Sequence, residues 1–408
     1  MSSTETWADD SLARRATPLP SPRTEGPAGP TPLGRTTVLP RLERDGDGPR
    51  VVRSAQSRYD GISELGRGGL GVVLGARDQD IGRRVAIKQL RDDCRSDKAL
   101  LRFAEEIRTV GRLDHPNIVP IHDVGADDEG NPYFVMKYVH GHTLADLLER
   151  LRAGDAEAHA HWTIPRRMEV FRKVLDAVGF AHAQGIVHRD LKPENIMVGQ
   201  HGEVHVLDWG IAHRDTSPDL SGLAGDDVHD DRVTHTRDGA VMGTPAYMSP
   251  EQSRGQPIDA RSDIYSLGVV LHEWLTLSHY LAGIDTIDGL LEGVQTRPLT
   301  HPMQVSSPLQ PTVPADLGWM VMEAVHKDPA SRYPSVDAWI ERLEALDLGD
   351  IPVQCPFTFQ KRVVYAAENT IDRHPLLWTA GVLVGMGAVA ATVMAALTIA
   401  FLAGAVLV

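Results

Sequence analysis

Cysteine is nearly absent from this 408-residue chain, which has only Cys94 and Cys355. Two cysteines that far apart build neither a disulfide framework nor a zinc-binding spacing, which fits a reducing compartment. Basic charge is scarce too. The 41 Lys and Arg stand against 55 Asp and Glu, a formal net charge of −14. An acidic chain repels nucleic acid, so no nucleic-acid partner is expected. Residues 1–10 are polar and acidic with no apolar stretch after them, so no secretory leader is expected. His159 and His161 lie close together, but no neighbouring Cys or carboxylate pair completes a metal site. No internal repeat is visible.

What is present points to an ordinary core plus a special C-terminus. At 42 % hydrophobic, the chain can bury a sizeable interior. Residues 1–57 are rich in Pro, Thr, Arg and Gly with no sustained period, and read as a disordered arm. Residues 58–346 alternate short apolar runs and helical stretches, as a globular domain does. Residues 347–375 read as a juxtamembrane link carrying Lys361, Arg362 and Arg373. Residues 376–408 contain no charge at all, a run longer than the roughly 20 residues a membrane-spanning helix needs. One span is expected. The basic residues before it favour a cytoplasmic location for the domain, with the protein a single-pass species of the inner membrane.

Several motifs carry chemistry. Gly66-Arg67-Gly68-Gly69-Leu70-Gly71 has the glycine spacing that lets backbone close over phosphates. Apolar residues on both sides make it a loop between two strands. Taken alone it could equally be a ligand-free hairpin. Lys88 ends the strand-like run Val85-Ala86-Ile87, 17 residues after Gly71. A strand lysine is usually just solvated, but one at this distance from a glycine loop is placed to reach phosphates and to pair with a helix glutamate. On the helix expected over 97–113, Glu105 and Glu106 are both candidates, and Glu106 is preferred for its spacing to His115-Pro116-Asn117. His188-Arg189-Asp190-Leu191-Lys192-Pro193-Glu194-Asn195 is far more specific. It sets a carboxylate beside a substrate hydroxyl, an amide on a metal ion, and a lysine between them. Asp208-Trp209-Gly210 supplies a hard carboxylate of the kind Mg²⁺ prefers. Three further runs complete the set: Gly243-Thr244-Pro245 through Ser249-Pro250-Glu251-Gln252, then Asp263-Ile264-Tyr265-Ser266-Leu267-Gly268, then Lys327-Asp328-Pro329 through Arg332.

In this order the motifs resemble the protein-kinase superfamily, and most closely the eukaryotic-like serine/threonine kinases of bacteria, over about 59–346. The resemblance implies an α+β, bilobal fold with a small β-rich lobe to about Tyr138 and a larger helical lobe beyond it. It implies a non-specific serine/threonine protein kinase using ATP with Mg²⁺, or Mn²⁺ in its place, and protein substrates with Ser or Thr acceptors. Asp190, Lys192, Lys88 and Glu106 would be catalytic, and Asn195 and Asp208 would hold the metal. Leu65, Gly66, Gly68, Gly71, Val73, Ala86, Met136, Tyr138, Val139 and Met197 would join Lys88 around the nucleotide, with Met136 as gatekeeper. Glu251 would pair with Arg332, and Asp263 would hold the catalytic-loop backbone. Lys137 stands where the family often has Glu, and Trp209 where it usually has Phe.

The segment between Asp208 and Glu251 is polar, with seven aspartates against three arginines over 213–240 and Ser217, Ser221, Thr234 and Thr236 available. Thr236, then Thr234, are expected autophosphorylation sites whose phosphate would pair with Arg189; a homodimer acting in trans is one route. Three other readings compete. A pseudokinase scaffold is disfavoured because Lys88, Asp190, Asn195 and Asp208 are all present. A small-molecule kinase is disfavoured by the Gly-Thr-Pro to Ser-Pro-Glu segment. A tethered binding module working through its Pro-rich arm lacks a convincing ligand motif.

Overall fold

The computed structural model describes residues 41–405 apart from 46–47, 53–56, 69–70, 92–93, 95, 128, 210–212 and 215–244. Its first element is a pair of short strands inside the stretch read as an arm. Strands β1 (Arg41–Asp45) and β2 (Gly48–Val52) pair antiparallel, Arg41 opposite Val52 and Asp45 opposite Gly48. The cause is local. Asp and Gly alternate over 45–48 between two short runs containing Leu42, Val51 and Val52, the composition of a hairpin turn.

The small lobe is a five-stranded antiparallel sheet in the order β3-β4-β5-β7-β6. Its strands are β3 (Tyr59–Arg67), β4 (Gly71–Asp78), β5 (Arg83–Leu90), β6 (Ile121–Ala126) and β7 (Pro132–Lys137). Alternation of apolar residues on β4, β5 and β7 buries Val72, Leu74, Val85, Ile87, Tyr133 and Val135 on one face. The other face takes helix α1 (Asp97–Val110), started by Ser96, whose hydroxyl accepts from the Ala99 amide. Ala99, Phe103, Glu106 and Val110 are its buried residues, and they recur at helical spacing. The stripe that packs Phe103 against Phe134 therefore turns Glu106 inward.

The large lobe begins with β8 (Gly141–Thr143), α2 (Leu144–Arg152), α3 (Ala156–His161) and α4 (Ile164–Ala183). Short strands β9 (Ile186–Val187), β10 (Ile196–Gly199) and β11 (Val204–Val206) flank the loop over 188–195. Helices α5 (Pro250–Ser253), α6 (Ala260–Thr276), α7 (Ile287–Thr296), α8 (Ala315–Ala324) and α9 (Val336–Asp347) complete it. The core centres on α4 and α6, with Trp274 and Trp339 fully buried. After it come two helices. The link over 347–375 is largely helical as α10 (Pro356–Arg373), and α11 (Pro375–Ala405) holds the apolar run. Its stretch over 378–399 is long and apolar enough to cross a membrane and is exposed throughout.

One buried ion pair ties the start of α5 to the lobe's far side. Arg332 donates to both oxygens of Glu251, at 2.7 and 2.8 Å, and Ser262 donates to Glu251 at 2.6 Å. Burial would raise the Glu251 carboxyl, but these donors outweigh it and hold it below its usual range. Removing one partner strands the other charge in the core. Glu251→Gln is expected to lower unfolding stability by about 3–5 kcal/mol, measured by denaturant titration of the full chain beside wild type.

Candidate active site

The cleft between the lobes collects most of the motif residues. Its roof is the β3–β4 hairpin. The Gly68 amide donates to the Gly71 carbonyl at 2.8 Å and closes the turn. A Cβ at Gly71 would lie 3.0 Å from the Gln89 carbonyl oxygen and 3.6 Å from the Lys88 stem, whereas at Gly66 it would meet only open space. A bulge between Glu64 and Gly66 takes Leu65 out of register, and its side chain lies across Gly75. Val73 pairs with Lys88, and Ala86 with Gly75 and Met136. Met197 sits on β10 opposite Thr143 and His205. Tyr138, just after β7, packs its ring under Arg84 and against His140, and Val139 comes next in the chain.

Lys88 is the centre of the site. Its ammonium donates to Glu106 at 2.6 Å and to Asp208 at 2.7 Å. Burial alone would pull its pKa down, but the two carboxylates reverse that and hold it raised. The carboxylates then diverge. Burial keeps the Glu106 pKa up, against the pull of Lys88. Asp208, whose side chain is 53 % exposed, is held down by Lys88, with His188 and Lys192 adding to it. Of the two glutamates, it is Glu106 that Lys88 meets. The Lys88–Asp208 contact had no signal in the sequence, because it joins residues 120 positions apart.

Below it the catalytic loop is strained and tightly held. Arg189 (φ 69°) and Asp208 (φ 56°) both adopt left-handed backbone, costing about 1–2 kcal/mol each. Asp263 on α6 accepts from the His188 and Arg189 amides at 2.7 and 2.8 Å and lies 2.8 Å from His182 Nε2. Asp190, next in the chain, accepts from Lys192 at 2.7 Å. Asn195 donates its Nδ2 to the Asp190 carbonyl at 2.8 Å, which leaves its amide oxygen for a cation. Trp209 is fully buried, tilted against His188 at 4.5 Å, with its indole N–H donating to Val206 O at 3.4 Å. A phenylalanine there could not make that bond. Two partners escaped sequence reasoning. Gln252 donates to the Arg189 carbonyl at 2.9 Å, and His182 backs Asp263. Gln252 ends the Ser249-Pro250-Glu251-Gln252 run, but nothing in that run indicates its target.

These groups fit a nucleotide and a divalent cation. A cationic lysine and open space above Gly66 suit phosphate. Asp208 and Asn195 offer two hard oxygens. Among the described residues no three His, Cys, Asp or Glu side chains form a metal cluster, so a cation would share its ligands with phosphate and water, the habit of Mg²⁺. Gly69, Leu70, Gly210, Gly243 and Thr244 lie outside the described residues, as do Ser217, Ser221, Thr234 and Thr236.

Such a cleft, with a lysine–glutamate pair above and an aspartate–asparagine loop below, defines a phosphotransferase of two lobes. The chain belongs to the protein kinase family, whose protein kinase domain matches residues 59–341. It is 37 % identical over 298 residues to a probable serine/threonine-protein kinase of Streptomyces coelicolor, covering 72 % of this chain and 40 % of that one. It is 36 % identical over 317 residues to the serine/threonine-protein kinase PknB of Mycobacterium tuberculosis, covering 77 % and 46 %. It is 35 % identical over 297 residues to the serine/threonine-protein kinase PknD of Protochlamydia amoebophila, covering 70 % and 29 %. The chain thus spans less than half the length of these curated relatives.

Lys137, at the end of β7, departs from the family pattern, and its partner is unusual. Its Nζ lies 2.9 Å from Nε2 of His205 on β11. An ammonium only donates, so the ring must accept there and stay neutral. Burial and then the lysine charge push the His205 pKa down to about 4. Between pH 6.5 and 4 the unfolded chain binds a proton at this ring and the folded chain does not. Stability is therefore expected to fall as pH drops through that window. Thermal midpoints of wild type and His205→Gln across it should converge toward acid, the variant losing less.

Proposed function

We propose that this chain is an ATP-dependent serine/threonine protein kinase. The observation that carries this reading is the Lys88 ammonium bridging Glu106 and Asp208 at 2.6 and 2.7 Å, above a loop that holds Asp190, Lys192 and Asn195 together. The reaction is transfer of the γ-phosphoryl group to a Ser or Thr hydroxyl. Asp190 orients the hydroxyl and takes its proton. The new O–P bond forms as the γ-phosphorus parts from its bridging oxygen, and ADP leaves. Lys88 positions the α and β phosphates, and Lys192 offsets charge on the moving group. Asn195 and Asp208 would hold Mg²⁺, or Mn²⁺ on the same oxygens, which would supply charge neutralisation at the phosphates. The backbone of Tyr138 and Val139, with Leu65, Val73, Ala86, Met136 and Met197, forms the adenine pocket under the Gly66, Gly68 and Gly71 loop. Lys192 and the names of the relatives support Ser/Thr over Tyr acceptors.

The same reading extends to control and place. Autophosphorylation at Thr236, then Thr234, orders the segment before α5 through Arg189, in trans within a homodimer. Helix α11 anchors the chain as a single-pass protein of the inner membrane with its kinase domain in the cytoplasm, and protein substrates meet it there. The test is phosphate incorporation from labelled Mg-ATP by the full chain in detergent, beside Asp190→Asn. Wild type should label Ser or Thr, and the variant should lose about 10²-fold or more, the usual worth of a positioned base. Wild type that binds ATP and transfers nothing would make the chain a pseudokinase scaffold.

A further inference from the structure

Helix α10 is amphipathic in an inverted sense. At 100° per residue, Phe357, Phe359, Val363, Val364 and Ile371 fall within an arc of roughly 160°. The other positions of that arc, Pro356, Gln360, Ala367 and Thr370, are uncharged. Lys361, Arg362, Glu368, Asp372 and Arg373, the charged residues of α10, all fall outside it. A helix on a soluble domain turns its apolar side inward. Here the polar side docks. Lys361 donates to the buried Asp316 of α8 at 2.7 Å. The Tyr365 hydroxyl donates to the Asp347 carbonyl at 3.2 Å, and its ring lies directly over Gly349. Thr358 is buried at the helix start, its hydroxyl oxygen accepting from the Gln354 and Cys355 amides. The apolar side is left facing out, with Phe357 60 %, Phe359 55 %, Val363 50 % and Val364 54 % exposed.

The neighbouring helix α11 indicates the cover for that face. His374 alone separates α10 from α11. Its dihedrals (φ −139°, ψ 61°) are not helical, so the two axes are not continuous. The stretch able to cross a membrane begins at Trp378, four residues on, or about 6 Å along a helix. An exposed apolar face that close to a span lies within reach of the headgroup and acyl boundary, where such a face is buried.

We propose that α10 lies on the phospholipid bilayer, its apolar arc in the interface and its polar side gripping the large lobe, so that the kinase domain is seated on the membrane in a fixed orientation. This rests on the reading that α11 spans the bilayer, and goes beyond it: a span alone leaves the domain free to swing.

The test uses the full chain in vesicles of neutral phosphatidylcholine, with Cys94 and Cys355 replaced by Ser and one environment-sensitive fluorophore on Val363→Cys, Glu368→Cys or Val389→Cys. Phe359→Cys is a second probe of the same face should Val363→Cys fold poorly. With nitroxide-bearing lipid of shallow depth, the probe at Val363 should lose most of its emission, and the probe at Glu368 should keep most of it. With deep nitroxides, the probe at Val389 should be quenched. Quenching at Val389 with none at Val363 or Phe359 would overturn the proposal and leave the span intact. No quenching at Val389 would overturn both readings. An unquenched but blue-shifted probe at Val363 that reddens when labelled protein is diluted with lipid would assign the face to a second copy of the chain, and the proposal would fall.

Discussion

The Asp263 carboxylate is the constraint on which the rest of the site depends. It is completely buried, and burial works against its charge. The imidazoles of His182 and His188 and the Arg189 amide more than compensate, so its pKa is held below the usual carboxylate range. In return it fixes two consecutive amides of a loop whose middle residue sits in left-handed backbone. Arg189 has no glycine's freedom there, so the conformation persists only because the surroundings enforce it. Gln252 grips the same residue from its carbonyl side, and Glu251, one position earlier, is locked to Arg332. The loop over 188–195, the start of α5 and α6 thus form one connected net, and Asp190 takes its position from that net.

The second organising contact crosses the cleft. Lys88 belongs to the small lobe's sheet, Glu106 to the helix packed on it, and Asp208 to the large lobe. One ammonium satisfies both carboxylates. Its location arises from strand alternation and helical periodicity together. β5 turns Val85 and Ile87 to one face and Lys88 to the other, while α1 brings Glu106 down on the stripe that buries Phe103.

Much of this was legible in the sequence for a physical reason. Residues whose chemistry needs a fixed spacing, such as Asp190 with Asn195 or the glycines with Lys88, leave that spacing in the chain. The α+β, two-lobed fold and the single apolar C-terminal helix came from the same reading. What escaped depends on contacts between distant segments or on weak local signals. Lys137 meeting His205, Gln252 meeting Arg189 and Lys88 meeting Asp208 span tens of residues and leave no motif. The strand pair over 41–52 was hidden by the Pro-rich composition around it, although Asp and Gly alternate between its strands. Helix α10 was passed over because its apolar arc faces away from the domain, so its periodicity did not announce a core.

Trp209 gives the nucleotide cleft a heavier latch than the smaller ring usual in the family. Any movement that carried Trp209 out of the core along with Asp208 would have to break the indole's bond to Val206. Emptying a site of that size costs about 3–5 kcal/mol where the ring finds no other cover. The swung-out state then holds about one molecule in a hundred or fewer. An arrangement with Trp209 out of the core would therefore be a minor one, and the contact of Asp208 with Lys88 would be the resting condition of the chain.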